Sequence, residues 1–497
     1  MSAPRALRAI PAHLRLAALD RRAIPLLRAA LAAAPRAGLA LVGGAVRDAL
    51  LGRAGGPGTG GARAPVDVDI TVPRDALALA RRIADRVGGA FLALDAERGA
   101  ARVVTAAGRL DVTDWRAPSL AEDLRARDFS VNALAVALAP LLREGRAPLV
   151  DPADGRADLV ARRLRPAAPG VLADDPLRAL RGVRLEATLG LRLTPDAVRE
   201  IRALAPRLAD VSAERRRDEL LVLLGVRSSG RAVRRLDALG LLAALFPEIE
   251  AMRRTTQPAP HRFDVLEHSV RAVEAADRLL ADLSVLGAVA DDVRAHLAEE
   301  VGGGLDRARL LRLAALLHDV AKPETRSVRG GRIRFFEHDV RGAERVRAIG
   351  ERLRLPTRAT AVLERLVRHH LRPMHLAQAG AITRRARYRF FRDLAEDSRD
   401  LLLLALADGA AVTGIAPRVA WRRSPVVREL MAGWQDEHVA AGVPPLLRGE
   451  DVMAHFRLEP GPVVGALLGQ AREAQALGLV RTRAEALAYL DSSPDDP

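Results

Sequence analysis

The hydrophobic rhythm of the chain changes along its length. Through residues 1–37 Leu and Ala recur at helical spacing and predict a helical lead-in. Leu39 to Val42 form a short apolar run that stops at Gly43-Gly44, a strand running into a turn, and a helix is expected through Leu50. Residues 52–65 are rich in Gly and Pro and read as a mobile loop. From Val66 to Val72 the period falls to two, which predicts a strand, and Asp75 to Val87 returns to helical spacing. Residues 100–113 read as a hairpin around Gly108. From about residue 120 the pattern is almost wholly helical. It is Arg-rich over 151–230 and carries most of the histidines over 231–415. It then stays helical to a polar ending, SSPDDP, expected to be disordered. The expected segments are therefore 1–37, 38–150, 151–230, 231–415 and 416–497, an α+β part followed by all-α parts, with no internal repeat.

Composition sharpens this picture. A length of 497 residues suits several domains. With 49% hydrophobic, 28% charged and only 3% aromatic residues, the core must be built from Leu, Ala and Val, which favours helices. The net charge of +16 rests almost entirely on Arg, Lys322 being the one lysine. Such an excess suits a polyanionic partner, and it equally suits a GC-rich coding bias. With no Cys, disulfides and thiolate metal sites are excluded. The N-terminal MSAPRALRAIPAHLRL lacks the apolar core of a secretory signal, and no run of 18 or more apolar residues occurs. A cytoplasmic protein without a membrane partner is expected.

Candidate chemistry begins in the first 135 residues. In Gly43-Gly44-Ala45-Val46-Arg47-Asp48, two glycines between strand and helix permit close backbone approach, and the helix start offers free N–H groups to a triphosphate. An ordinary strand–helix turn would look similar. In Val66-Asp67-Val68-Asp69-Ile70-Thr71-Val72, Asp67 and Asp69 fall on one face of a strand while the apolar residues fall on the other. Two such carboxylates repel unless a cation lies between them, and Mg2+ takes a few carboxylates together with substrate phosphates. Asp111, on the strand Arg109-Leu110-Asp111-Val112, is a candidate third carboxylate for two-metal catalysis, or else a solvated Asp.

In order and at matching spacing, the chain carries GGAVRD (43–48), DVD (67–69), EDLRARDFSVNALA (122–135), DPADGRADL (151–159), DDPLRALRGVR (174–184) and ERRRDEL (214–220). These resemble the class II tRNA nucleotidyltransferase and bacterial poly(A) polymerase family over roughly residues 38–225. The resemblance implies a nucleotidyltransferase head (38–150) with a small mixed sheet, then a helical neck (151–230) that recognises the nucleotide base. It implies addition of C and A, as CCA, to the tRNA 3′ end from CTP and ATP, with Mg2+ on Asp67 and Asp69. Gly43, Gly44, Arg47 and Asp48 would lie at the triphosphate, and Arg127, Asp128 and Asn132 at the sugar and phosphates. Asp175 and Arg178 lie three apart on a predicted helix. A carboxylate accepting beside a guanidinium donating suits the amino-and-acceptor edge shared by cytosine and adenine. The family motif has Glu where Asp174 stands here. Arg181 and Arg184 continue that face toward phosphate or RNA, and Glu214 and Arg217 are candidates to brace it. Arg-rich helical faces would bind the acceptor arm. The departure at 53–65 lengthens the gap between GGAVRD and DVD.

A second chemistry lies downstream. His268, His318-Asp319, His338, His369-His370 and Asp408 fall where apolar helices meet turns, and His and Asp on neighbouring helices can bind a divalent transition metal. His268, His318, Asp319 and Asp408, with Lys322 in HDxxK, resemble the HD phosphohydrolase superfamily over about 261–410. The segment 231–415 is thus an expected HD-type body and 416–497 a helical tail. His338 and His369 (or His370) are candidates for a second metal. The resemblance implies hydrolysis of phosphomonoesters or cyclic phosphodiesters. Other readings are a poly(A) polymerase, an enzyme adding only CC or only A, or an HD phosphohydrolase with an RNA-binding head.

Overall fold

The computed structural model describes residues 10–53, 66–434 and 444–492. The segment 54–65 and the ending 493–497, expected to be mobile and disordered, lie outside the described residues. The chain divides into two compact units, Met1–Glu219 with Arg235–Leu245, and Leu220–Arg234 with Phe246–Pro497.

The first unit is built on a mixed sheet of eight strands. Its elements are β1 (His13–Arg15), α1 (Ile24–Ala33), β2 (Ala40–Val42), α2 (Gly44–Leu50), β3 (Val66–Val72), α3 (Ala76–Val87), β4 (Ala90–Asp95), β5 (Ala100–Thr105), β6 (Gly108–Asp114), α4 (Leu120–Arg125), β7 (Ala135–Ala137), α5 (Leu138–Glu144) and β8 (Arg146–Val150). The strand order is β1-β8-β7-β2-β3-β6-β5-β4. Where the lead-in was expected to be wholly helical, His13–Arg15 instead pairs with Arg146–Pro148 at the sheet edge. Three residues are too few to show a period, so only pairing reveals them.

Strand β3 pairs parallel with β6, and β5 pairs antiparallel with β6. The alternation in β3 does what its sequence demands: Val68 and Ile70 are buried with Leu110 and Val112 of β6 and with Val103 of β5. The other face carries Asp67 and Asp69. After the sheet come α6 (Gly155–Val160), α7 (Leu177–Leu189), α8 (Pro195–Leu204) and α9 (Ala213–Gly225). Gly182 lets α7 sit close to the segment after α4, since a Cβ there would lie 2.9 Å from Phe129 Cζ and 3.2 Å from Ile201 Cδ1.

The second unit is almost entirely helical. Its longer helices include Val265–Ala281, Arg307–Leu317, His338–Arg352, Thr357–His369 and Ser398–Thr413. Asp264 and Asp306 cap the first two by accepting from Glu267 N and Arg309 N, both at 2.8 Å. The last part has its own small core, including Leu447, Val452, Ala474 and Leu490. No single helix among the described residues is long and apolar enough to cross a membrane.

Candidate functional site

In the first unit the glycine turn, the two-carboxylate strand and the Arg-rich helix meet at one place. Register sets Asp69 of β3 directly beside Asp111 of β6, and Asp67 beside Arg109. Burial, then the charges of Asp111 and Asp67, push the Asp69 carboxyl up to about 6. Burial, then Asp111, raises Asp67 as well. The third carboxylate is already engaged: Arg102 of β5 donates Nε to Asp111 Oδ1 at 2.7 Å and Nη2 to Oδ2 at 2.8 Å. This bidentate partner was not expected from the sequence, and period-two spacing alone could not have located it.

Gly43 holds φ +72° and ψ −134°, a conformation open to glycine alone, at the turn into α2. A Cβ there would lie 3.5 Å from Asp69 Oδ2 and 3.6 Å from an Arg127 nitrogen. A polar chain then links the motifs. Arg47 donates to Asp48 at 2.8 Å and also to the Asn132 carbonyl. The Asn132 amide donates to Asp128 at 3.0 Å, and Asp128 lies 3.8 Å from Arg181. Arg127 reaches Asp123 at 3.3 Å, but its Nε is buried without a hydrogen-bond partner. Burial and the charges of Arg127, Arg178 and Arg181 together depress the Arg116 guanidinium. Four guanidiniums so close together call for an anion.

Arg178 lies on α7, but Asp175 precedes that helix in extended backbone (φ −150°, ψ 102°), so the two do not share a helix as the spacing predicted; both are nonetheless held in place. Arg215 donates to the Asp175 carboxylate at 2.6 Å, and Arg178 Nη1 donates to Val171 O at 2.7 Å. Arg181 and Arg184 both donate to Glu219, at 3.2 and 2.6 Å. From α9, Arg215 and Glu219 supply bracing contacts. Arg217 pairs with its neighbour Asp218 at 2.8 Å. A helix turns about 100° per residue, so a one-residue change decides which side chain faces inward.

The second unit brings its histidines together on Asp319. His318 Nε2 lies 3.2 Å and His268 Nε2 3.6 Å from Asp319 Oδ2, and His268 is 3.0 Å from Asp408. The other oxygen, Oδ1, lies 3.5 Å from His338 Nε2 and 3.6 Å from His370 Nε2. His370, not His369, completes this second group. His369 ends its helix only partly buried, whereas His370 turns inward. His318, His338 and His370 each set Nδ1 against a backbone carbonyl, at 3.0, 2.7 and 2.7 Å. That contact places a proton on Nδ1 and turns Nε2 inward. Nε2 atoms then face each other at 3.3 Å (His268 and His318) and 3.2 Å (His338 and His370), an arrangement that wants a cation.

Two groups of donors thus suit divalent metal: His268, His318 and Asp408, and Asp319, His338 and His370, each with its ligand atoms within 4.8 Å of one another. Nitrogen-rich sets of this kind favour a transition metal. Burial alone would lower His318, but Asp319 and Asp408 outweigh it and lift the imidazole to about 9. Burial would raise Asp319, but His318 and Lys322 hold it well below the usual carboxylate range. Lys322 Nζ lies 2.6 Å from Asp319 and donates to Gln257 at 2.7 Å. His261, which sequence reasoning passed over, packs edge-on against His268 with ring centroids 4.9 Å apart.

Comparison with known proteins matches residues 39–165 to the Poly A polymerase head domain family. Residues 190–253 match the family described as probable RNA and SrmB-binding site of polymerase A, and 265–411 match the HD domain family. An A-adding tRNA nucleotidyltransferase of Deinococcus radiodurans is 39% identical over 91% of this chain and 95% of its own length. A CC-adding tRNA nucleotidyltransferase of Geobacter sulfurreducens is 33% identical over 94% of each. Among solved structures, a CCA-adding enzyme in its apo form has a TM-score of 0.61 at 18% identity, covering 97% of this chain and 98% of that one. The Thermotoga maritima CCA-adding enzyme complexed with tRNA has a TM-score of 0.57 at 18% identity, covering 97% and 99%.

Proposed function

The chain belongs to the tRNA nucleotidyltransferase family, and from that premise we propose that it completes the CCA end of tRNA from CTP and ATP without a template. The observation that carries this reading is the setting of Asp69 beside Asp111, facing the Gly43 turn and the guanidinium cluster. Asp67 and Asp69 would hold Mg2+, joined by Asp111 once Arg102 releases it. Bound there, Mg2+ supplies charge that steadies the attacking 3′-oxygen and the departing pyrophosphate. Gly43, Gly44 and Arg47 approach the triphosphate, and Arg127 and Arg181 neutralise it, with Asp48, Asp128 and Asn132 fixing the arginines. The terminal 3′-hydroxyl then attacks the α-phosphate. A bond from O3′ to phosphorus forms as the bond to the β-phosphate oxygen breaks, and the hydroxyl proton passes to solvent. Asp175, steadied by Arg215, and Arg178 read the base edge with the lone pairs and donors their own partners leave free.

The family names of the full-length relatives, A-adding and CC-adding, favour a second reading in which only part of CCA is added. One assay separates the two. Transcripts lacking CCA, CA or only A are incubated with Mg2+ and with CTP, ATP or both. Complete CCA from both nucleotides, lost in Asp69→Ala, supports the main reading. Arrest at CC, or growth from ATP only on CC ends, replaces it with the partial one, and no incorporation overturns both.

For the second unit we propose a metal-dependent phosphohydrolase acting on terminal phosphomonoesters or cyclic phosphodiesters, with transition metal held by His268, His318, Asp319, His338, His370 and Asp408. With a tRNA substrate goes the proposal that the protein works in the cytoplasm.

A further inference from the structure

One β-hairpin of the second unit gathers exposed arginines beside an exposed aromatic ring. Strands Arg326–Arg329 and Arg332–Phe335 pair antiparallel across Gly330-Gly331, both glycines at positive φ. The register sets two faces. Arg326, Val328, Ile333 and Phe335 share one, and Ser327, Arg329, Arg332 and Arg334 share the other. Phe335 ties the first face to the histidine cluster: its ring is 6.5 Å from that of His338 and 5.5 Å from Lys322 Nζ. On the second face, Arg329 stands directly opposite Arg332. Like charges facing each other across a ladder destabilise it.

Neighbouring arginines are paired: Arg341 with Glu344, Arg345 with Glu324, Arg347 with Glu364. Arg329, Arg332 and Arg334 are exposed and have no acidic partner among the described residues. Phe336, 54% exposed, follows in the same parity, and the Arg329 guanidinium lies over its ring at 5.3 Å. Unpaired guanidiniums beside an exposed aromatic are the makings of a surface for single-stranded nucleic acid, with phosphates on the cations and a base on the ring.

We propose that this face docks the single-stranded 3′ segment of an RNA and feeds its terminal phosphate to the cluster that begins at His338. The delivery step rests on the phosphohydrolase reading; the docking face does not. The full-length chain is tested as the triple variant Arg329→Gln, Arg332→Gln, Arg334→Gln and as Phe336→Ala, with melting temperatures confirming the fold of these surface variants. A short RNA with 4-thiouridine near its 3′ end should photo-crosslink to the peptide containing Phe336. The triple variant should lose at least about tenfold of that crosslink, and the salt slope of log affinity should fall by about 2, near 0.7 for each phosphate contact. KM for RNA ending in a 2′,3′-cyclic phosphate should rise at least about tenfold, while hydrolysis of a small aryl phosphodiester stays unchanged. Crosslinking with no hydrolysis of either substrate keeps the docking face and removes the hydrolase reading. Hydrolysis of the small ester with no crosslink at the hairpin, and RNA kinetics unchanged in the variant, removes the docking face. Protection of the hairpin by polyglutamate but not by RNA also overturns it, in favour of an acidic protein partner.

Discussion

Asp69 carries the sharpest charge conflict of the first unit. Its carboxyl, at about 6 when folded against 3.8 ordinarily, holds a proton more tightly than in an unfolded chain. The stability this proton contributes is therefore full below about pH 4 and is lost as pH rises through 6. Asp69→Asn removes the conflict. The metal-free variant should melt like the wild type near pH 4 and be more stable above pH 7 by about 1–2 kcal/mol. That is less than a rise from 3.8 to about 6 would carry for a fully buried group, because Asp69 keeps partial exposure. Thermal melts in chelator across this pH range check the sign, and nucleotide addition should fall by at least about a thousandfold. This residue was legible in the sequence because alternation on a strand assigns faces by parity. His370 was not separable from His369, nor Arg215 from Glu214, because on a helix one residue is about 100° of turn and the facing direction depends on what packs there.

Between elements, the parallel pairing of β3 with β6 is what sets Asp69 beside Asp111. The period-two runs revealed the strands but not this partnership, since alternation says which face a residue takes and nothing about which strand lies alongside. The same holds for β1, whose three residues join the sheet through Arg146–Pro148 of a strand far along the chain. Helix placement leans on a smaller signal, the missing side chain of Gly182. Gly182→Val would push on Phe129 and Ile201, at 2.9 and 3.2 Å even for a Cβ. Overpacking of this kind costs about 1–3 kcal/mol. Because Phe129 adjoins Asp128, the variant should show a higher KM for nucleotide together with its lower melting temperature, whereas a purely global loss of stability would leave KM alone.

At the scale of the molecule, the two candidate metal sites sit in different compact units. Asp319 gives one oxygen to each imidazole pair of the second unit, so Asp319→Ala should strip both metals at once. Elemental analysis should then find none in place of two, while nucleotide addition stays within about twofold. Loss of addition in that variant would show the units to be coupled. The ligand set was largely readable from the order of His and Asp along the chain. The guanidinium cluster around Arg116 was hidden, because arginine is so common here that no single one stands out. Lysine is the opposite case. Lys322 is the chain's one lysine, and it lies buried between Asp319 and Gln257. Apart from the terminal α-amine, it is the protein's one primary amine. Reductive methylation with 13C-formaldehyde would therefore write an isotopic label at the HD-like centre and at no other side chain. The labelling rate would time the opening of that core, and one methyl resonance would then act as a gauge of its metal filling.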